Sequence, residues 1–126
     1  MILDLKPGIE NKITKTVSER DTASHFGEEH MPVLATSLAI AFMEYTALSS
    51  VQSLLPDGYS SVGIEVHMRH LKPAPVGTEV TCYSRLTETS GRKLFFEVSL
   101  RSDEGLLATC THIRAVVQND AFQRII

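Results

Sequence analysis

The residues of this chain most able to do chemistry are two histidines, one carboxylate and two cysteines. His67 and His70 stand three apart in "SVGIEVHMRHLKPAPVG" (residues 61–77), Glu44 is the only charged residue between Val33 and Leu55, and Cys82 and Cys110 are the only cysteines. Two imidazoles on one side of the chain could share a metal ion, whereas a single imidazole could move a proton. A carboxylate enclosed in a poorly solvated place becomes a stronger base or nucleophile. Two thiols with no CxxC and no His/Cys cluster are expected to be reduced and structural rather than zinc ligands.

Which chemistry applies depends on the element beneath these residues. Residues 62–70 carry β-branched Val62, Ile64 and Val66 at alternate positions and run toward Pro73 and Pro75, so they are expected to form a strand. Alternation then puts Ile64, Val66, Met68 and His70 on one face and Glu65, His67, Arg69 and Leu71 on the other. Opposite faces cannot ligate one ion, so no metal site is expected, and His67 reads as a surface residue. His70, in the apolar row, is either a hydrogen-bonded core histidine or a functional one. Glu44 either lies on a narrow solvent-facing stripe or is enclosed in a site, and the sequence leaves both open.

The elements that must position these groups can be read in outline. "VLATSLAIAFMEYTALSSVQSLL", from Val33 to Leu55, lies between Pro32 and the Pro56-Asp57-Gly58 turn and is apolar or small on nearly every side. It is expected to be one long helix, buried around most of its circumference. Its length approaches a membrane span, but Ser37, Ser49, Ser50, Ser53, Gln52 and Glu44 count against that reading. A loosely alternating first strand is expected within residues 9–19, followed by a loop. Four more strands, near 60–71, 77–89, 92–102 and 106–117, are separated by Pro73–Gly77, Ser90-Gly91-Arg92 and Asp103-Glu104-Gly105 and are expected to form an antiparallel meander. The order strand, helix, four strands describes an α+β domain with one helix laid across one sheet.

The 126 residues, 43% hydrophobic and 21% charged, suit a single domain over residues 1–126 that buries about 65–70% of its unfolded surface. A net charge of −3 argues against a general nucleic-acid binder, which needs a basic surface to displace counterions from phosphates. "MILDLKPGIENKITK" lacks the basic flank and apolar core of a secretory signal, so a cytoplasmic location and no membrane partner are expected.

Three stretches, "PVLATSLAIAFMEYTA", "SVGIEVHMRHLKPAPVG" and "GRKLFFEVSLRSDEGLLATCTHIRAVV", together resemble the fluoroacetyl-CoA thioesterase-like family of hotdog-fold proteins over about residues 10–118. The strongest signs are Ala35-Thr36 followed eight positions later by Glu44, and Gly63 followed seven later by His70. Thr111, His112 and Arg114 also fit, while Cys110 stands where that pattern has glycine. The resemblance implies a hotdog fold, a long central helix wrapped by an antiparallel β-sheet, with two protomers paired edge to edge as a homodimer or a dimer of dimers. It implies an acyl-CoA thioesterase acting on a short or small acyl-CoA with no cofactor. Thr36, Glu44 and His70 would be catalytic, Gly63 would line the acyl pocket, and Phe26 is the aromatic candidate for that pocket. His67 has no counterpart in the pattern.

Within that reading Glu44 serves as nucleophile or general base, His70 polarises the carbonyl or moves a proton, and Thr36 bonds the thioester or orients Glu44. Backbone N–H groups near Val33–Ala35 are candidate oxyanion donors. Arg69, Lys72, Arg92, Lys93 and Arg114 are candidate cations for the CoA phosphates. Eight residues of helix span about 12 Å, so Thr36 and Glu44 of one straight helix cannot reach the same carbonyl. Either Thr36 lies in an irregular lead-in to the helix, or the site combines two chains. A non-catalytic acyl-CoA-binding hotdog protein and a hotdog hydratase or dehydratase are the rival readings. The latter usually works with an Asp/His pair, and the helix holds no aspartate.

Overall fold

Ala35 is where the backbone changes from extended to helical. In the computed structural model, which describes residues 4–126, Ala35 has φ −66 and ψ 140 and the helix begins at the next residue. Helix α1 therefore runs Thr36–Val51, shorter than the expected Val33–Leu55, and a single 3₁₀ turn, Gln52–Leu54, extends it. Val33 and Leu34 are instead bridged to Pro75 and Thr22 as short extended pieces. These bridges, with Leu34 N–H donating to Ala74 O and Ala35 N–H to Asp21 O, keep the lead-in out of the helix.

The strands fall close to their expected places: β1 (Glu10–Thr16), β2 (Tyr59–His70), β3 (Glu79–Ser90), β4 (Lys93–Ser102) and β5 (Gly105–Gln118). A short helix, α2 (Asn119–Gln123), follows and was not foreseen. All pairings are antiparallel, and the strand order is β1-β3-β4-β5-β2. Only β3-β4-β5 is a meander. β1 adds to one side through β3 and β2 to the other through β5, which makes β2 an edge strand.

Ala39, Met43, Ala47 and Val51 recur every four residues along α1 and are wholly buried. They form one core cluster with Val80, Cys82, Leu86, Leu94, Phe96, Val98, Leu100 and Leu107 of the sheet. Each large side chain removed from water there stabilises the fold by roughly 1.5–3 kcal/mol. Asn11 ties β1 to the same helix, its Nδ2 donating to Thr46 O (3.1 Å) and Ser49 Oγ (3.2 Å). Cys82 and Cys110 are free thiols inside this core, and burial pushes both up to about 11, so they are inert packing residues.

Helix α1 is buried or half-buried except along one stripe, Thr36, Ser37, Ala41 and Tyr45, with Tyr45 57% exposed. The serines cited against a membrane span turn out to be weak evidence, because Ser49 and Ser50 fold back onto the helix carbonyls of Tyr45 and Ala47. Length decides instead: no helix among the described residues is long and apolar enough to cross a membrane.

Strand β2 carries a further departure. Its register against β5 shifts between Gly63 and Glu65, so Ile64 is an extra, bulged residue and is 50% exposed rather than part of the apolar row. Beyond the bulge the expected alternation holds. Val66, Met68 and His70 face the helix opposite His112, Cys110 and Ala108, while Glu65, His67 and Arg69 face outward.

Candidate active site

Two polar clusters lie along α1. The first is at its start. Thr36 is the first helical residue, and its hydroxyl lies 2.9 Å from His70 Nδ1, the imidazole coming from the end of β2. With the hydroxyl donating, Nδ1 accepts and Nε2 carries the ring hydrogen. That Nε2 is buried and has no hydrogen-bond partner among the described residues. A hydroxyl bonded to an imidazole is the arrangement in which the ring can take the hydroxyl proton as the oxygen attacks.

The expected oxyanion donors must be moved by a few residues. Leu34 N–H donates to Ala74 O (2.8 Å) and Ala35 N–H to Asp21 O (2.8 Å), so both are committed to holding the lead-in. The first intrahelical bond at this end is Ala39 N–H to Ala35 O, and Ala35 provides no side-chain cap. The amides of Thr36, Ser37 and Leu38 are thus the first-turn donors of an uncapped helix, beside the Thr36 hydroxyl.

The second cluster surrounds Glu44, two turns further on. Glu44 Oε2 lies 3.9 Å from Arg114 Nη1 and 4.0 Å from His112 Nε2, and its side chain is 38% exposed. Among the described residues its carboxylate accepts no hydrogen bond. Gly63 lies beneath it. A Cβ there would stand 2.5 Å from Glu44 Oε2, 3.1 Å from His112 Cε1 and 3.4 Å from Arg114 Nη1, so glycine is required for the carboxylate to approach the backbone. Arg114 is buried and held by Ser61, Nε donating to Ser61 Oγ (2.8 Å) and Nη2 to Ser61 O (3.0 Å). His112 is 1% exposed. Burial pushes it below its ordinary value of 6.5, and the neighbouring arginine adds to that effect against the Glu65 carbonyl and Glu44.

The expected residues are therefore brought together in pairs, not as a trio. Thr36 joins His70, and Glu44 joins Gly63. Because Thr36 is part of the regular helix, the irregular lead-in that could have united them is excluded, and about 12 Å of helix rise separates the two clusters. Phe26 closes a 3₁₀ turn before α1, 58% exposed and edge-on to His25. His67 pairs with Glu65 on the outer face at 2.8 Å. Arg114 is not a surface cation for phosphate, while Lys72 Nζ donates to Glu104 O (3.0 Å). A concavity of about 770 Å³ on the outer face of the sheet, lined by His67, Arg69, Tyr83, Arg85 and Glu97 among others, is bordered by neither cluster. Among the described residues no group of His, Cys, Asp and Glu is arranged to hold a metal ion.

Ser61 is a site residue with no expectation attached to it, and His112 and Arg114, noted for fitting the family pattern and Arg114 also as a phosphate cation, have an unexpected place beside Glu44. The signal was present: in "GLLATCTHIRAVV" (residues 105–117) His112 and Arg114 fall in the same inward row as Ala108, Cys110 and Val116. Two polar side chains in an inward row require partners.

The model of the fluoroacetyl-CoA-specific thioesterase family matches residues 17–120. The fluoroacetyl-CoA thioesterase of Streptantibioticus cattleyicolor is 29% identical over 108 residues, covering 86% of this chain and 78% of that protein. Among solved structures, a variant of the fluoroacetyl-CoA-specific thioesterase in complex with fluoroacetate and CoA is 26% identical, with a TM-score of 0.87 over 94% of this chain and 99% of that one. A hot-dog-like protein from Thermanaerovibrio acidaminovorans, 24% identical, shares the fold with a TM-score of 0.89 over 94% of this chain and 88% of that one. With the match spanning the helix, both clusters and four of the five strands, the chain belongs to the fluoroacetyl-CoA-specific thioesterase family.

Proposed function

We propose that this protein hydrolyses the thioester of a small acyl-CoA to the free acid and CoA, at a site completed by a second copy of the chain. The activity follows from family membership and from the thioesterase relative. The observation that carries the mechanism is the 2.9 Å contact between the Thr36 hydroxyl and His70 beside an uncapped helix start. As the Thr36 oxygen adds to the thioester carbonyl, His70 takes its proton, and the first-turn amides of α1 receive the negative charge on the carbonyl oxygen. The carbon–sulfur bond breaks, the CoA thiol leaves with the proton from His70, and the acyl group remains as an ester on Thr36. Glu44 of the second copy then takes a proton from a water as its oxygen adds to the ester carbonyl, the bond between the acyl carbon and the Thr36 oxygen breaks, and that proton passes to the Thr36 oxygen, which frees the acid and restores the hydroxyl.

Three features support the second copy. The two clusters are too far apart to act on one carbonyl, α1 exposes an apolar and small-residue stripe, and β2 is an edge strand beside it. A homodimer, alone or doubled into a tetramer, fits these features, and two free buried thiols fit a cytoplasmic setting.

Release of free thiol from a panel of acyl-CoAs tests the activity. No release from any member would sink it in favour of a binding protein. Mixing Thr36→Ala chains with Glu44→Gln chains tests the shared site. Random exchange should restore about a quarter of wild-type activity, since half the dimers would then hold one intact site of two. Recovery no greater than either variant alone would mean that the site lies within one chain.

Gly63→Ala should lower kcat/KM by about 10- to 100-fold, because the added methyl would stand 2.5 Å from Glu44 Oε2 and must displace the flexible end of that side chain, while the buried His112 ring, 3.1 Å away, gives by a few tenths of an ångström. An unchanged kcat/KM would show that the position of that carboxylate does not matter.

A further inference from the structure

Glu44 stands 3.9 Å from a guanidinium without bonding to it, an unusual restraint for an opposite-charge pair. Arg114 is tied back on three sides. Ser61 takes Nε and Nη2, and Nη1 lies 3.0 Å from His112 Nε2. That third bond depends on the imidazole tautomer. His112 Nδ1 is 2.8 Å from the carbonyl oxygen of Glu65, which can only accept, so Nδ1 carries the hydrogen and Nε2 is left to accept from Arg114.

We propose that His112 is a positioning residue: a neutral imidazole that holds Arg114 Nη1 away from Glu44, so that the carboxylate keeps its lone pairs for water while the positive charge stays close by. The inference rests on the reading of Glu44 as the base of the hydrolytic step. The surroundings of the ring agree with it. Glu44 from α1 and Arg114 from β5 are the charged groups that face it, Phe96 of β4 lies 6.2 Å away between ring centroids, and β2 presents the Glu65 carbonyl while the Glu65 carboxylate pairs with His67 outside. Burial and the arginine both favour the neutral ring. A protonated ring would turn an Nε2–H toward Arg114 and offer it to Glu44, 4.0 Å away, releasing the guanidinium and capturing the carboxylate at once.

His112→Phe retains most of the ring volume and removes both nitrogens, whereas His112→Gln keeps an acceptor near the reach of Nε2. The phenylalanine variant is expected to lose about 10²-fold in kcat with KM within about threefold of wild type, and the glutamine variant to recover about tenfold of that loss. A phenylalanine variant that keeps kcat within about threefold, or a glutamine variant no better than phenylalanine, would overturn the proposal. If His112→Phe does not fold, the ring can be read directly in the wild-type chain. Imidazole nitrogen resonances at neutral pH should show a protonated Nδ1 and an unprotonated Nε2, and the opposite tautomer or an imidazolium would equally defeat the idea. That spectrum requires no substrate. A chain with the expected tautomer but no thiol release would refute the thioesterase reading alone, and one with thiol release but the wrong tautomer would refute the role of His112 alone.

Discussion

His70→Ala is expected to lower kcat/KM by roughly 10²–10⁴-fold, and His67→Ala to change it little. The two histidines are three residues apart, yet the strand sends them to opposite faces: His70 to the Thr36 hydroxyl at 2.9 Å, His67 to an exposed pair with Glu65. Removing the imidazole leaves Thr36 without a group to take its proton, so the loss should fall on the step that releases thiol. A histidine that served packing alone would instead lower stability by roughly 1–3 kcal/mol and leave the folded fraction active. Measuring kcat/KM and thermal midpoint for both variants separates the two. Equal losses at the two positions, or loss of wild-type activity in chelator, would return the pair to a metal-binding role.

Glu44→Gln should retain the fold and lose roughly 10²–10³-fold in steady-state turnover, since an amide of nearly the same shape is a far poorer base. The proposed order of events adds a sharper expectation. Thr36 and His70 remain intact in this variant, so mixing it with substrate should release a burst of about one thiol per site before the slow phase, with the acyl group left on Thr36. Turnover within a few-fold of wild type would make Glu44 a structural residue. A large loss without a burst would place the carboxylate in the first step instead.

The sequence made most of the fold legible. All five strands and the helix were expected near their observed positions, because period-two alternation in segments such as "LFFEVSLRS" and the glycines of the turns at Gly91 (φ 60) and Gly105 (φ 106) are local signals. The misses have physical causes. The start of α1 was placed three residues early because Val33, Leu34 and Ala35 are apolar and only their bridges to Pro75 and Thr22, which are tertiary, keep them extended. The pairing of β2 with β5 joins segments far apart in the chain, so no local pattern announces it. At the site, Glu44 stands out as a lone carboxylate in an apolar helix and His70 as an imidazole in an apolar row, whereas Thr36 and Gly63 come only from the family resemblance, and the structure divides the four into two clusters. That Ser61, His112 and Arg114 are the partners around Glu44 is not legible in the sequence, because a buried polar network is specified by three dimensions: the bond between His112 and Glu65 spans β5 and β2, and neither strand alone reveals it.

The bulge at Ile64 also constrains how the length of this strand can vary. Gly63 and His70 are separated by an odd number of positions, and an unbroken strand would turn them to opposite sides. The one supernumerary residue reconciles the count, so that the glycine beneath Glu44 and the histidine beside Thr36 both look toward the helix. Insertions and deletions within this interval therefore obey a parity rule. A single deletion that removes the bulge itself leaves both groups facing inward. A single deletion or insertion elsewhere between them, with the bulge kept, turns His70 outward, and turns His67 inward as well when it falls before that residue. Changes of two residues preserve both orientations at the cost of moving the two clusters along the strand.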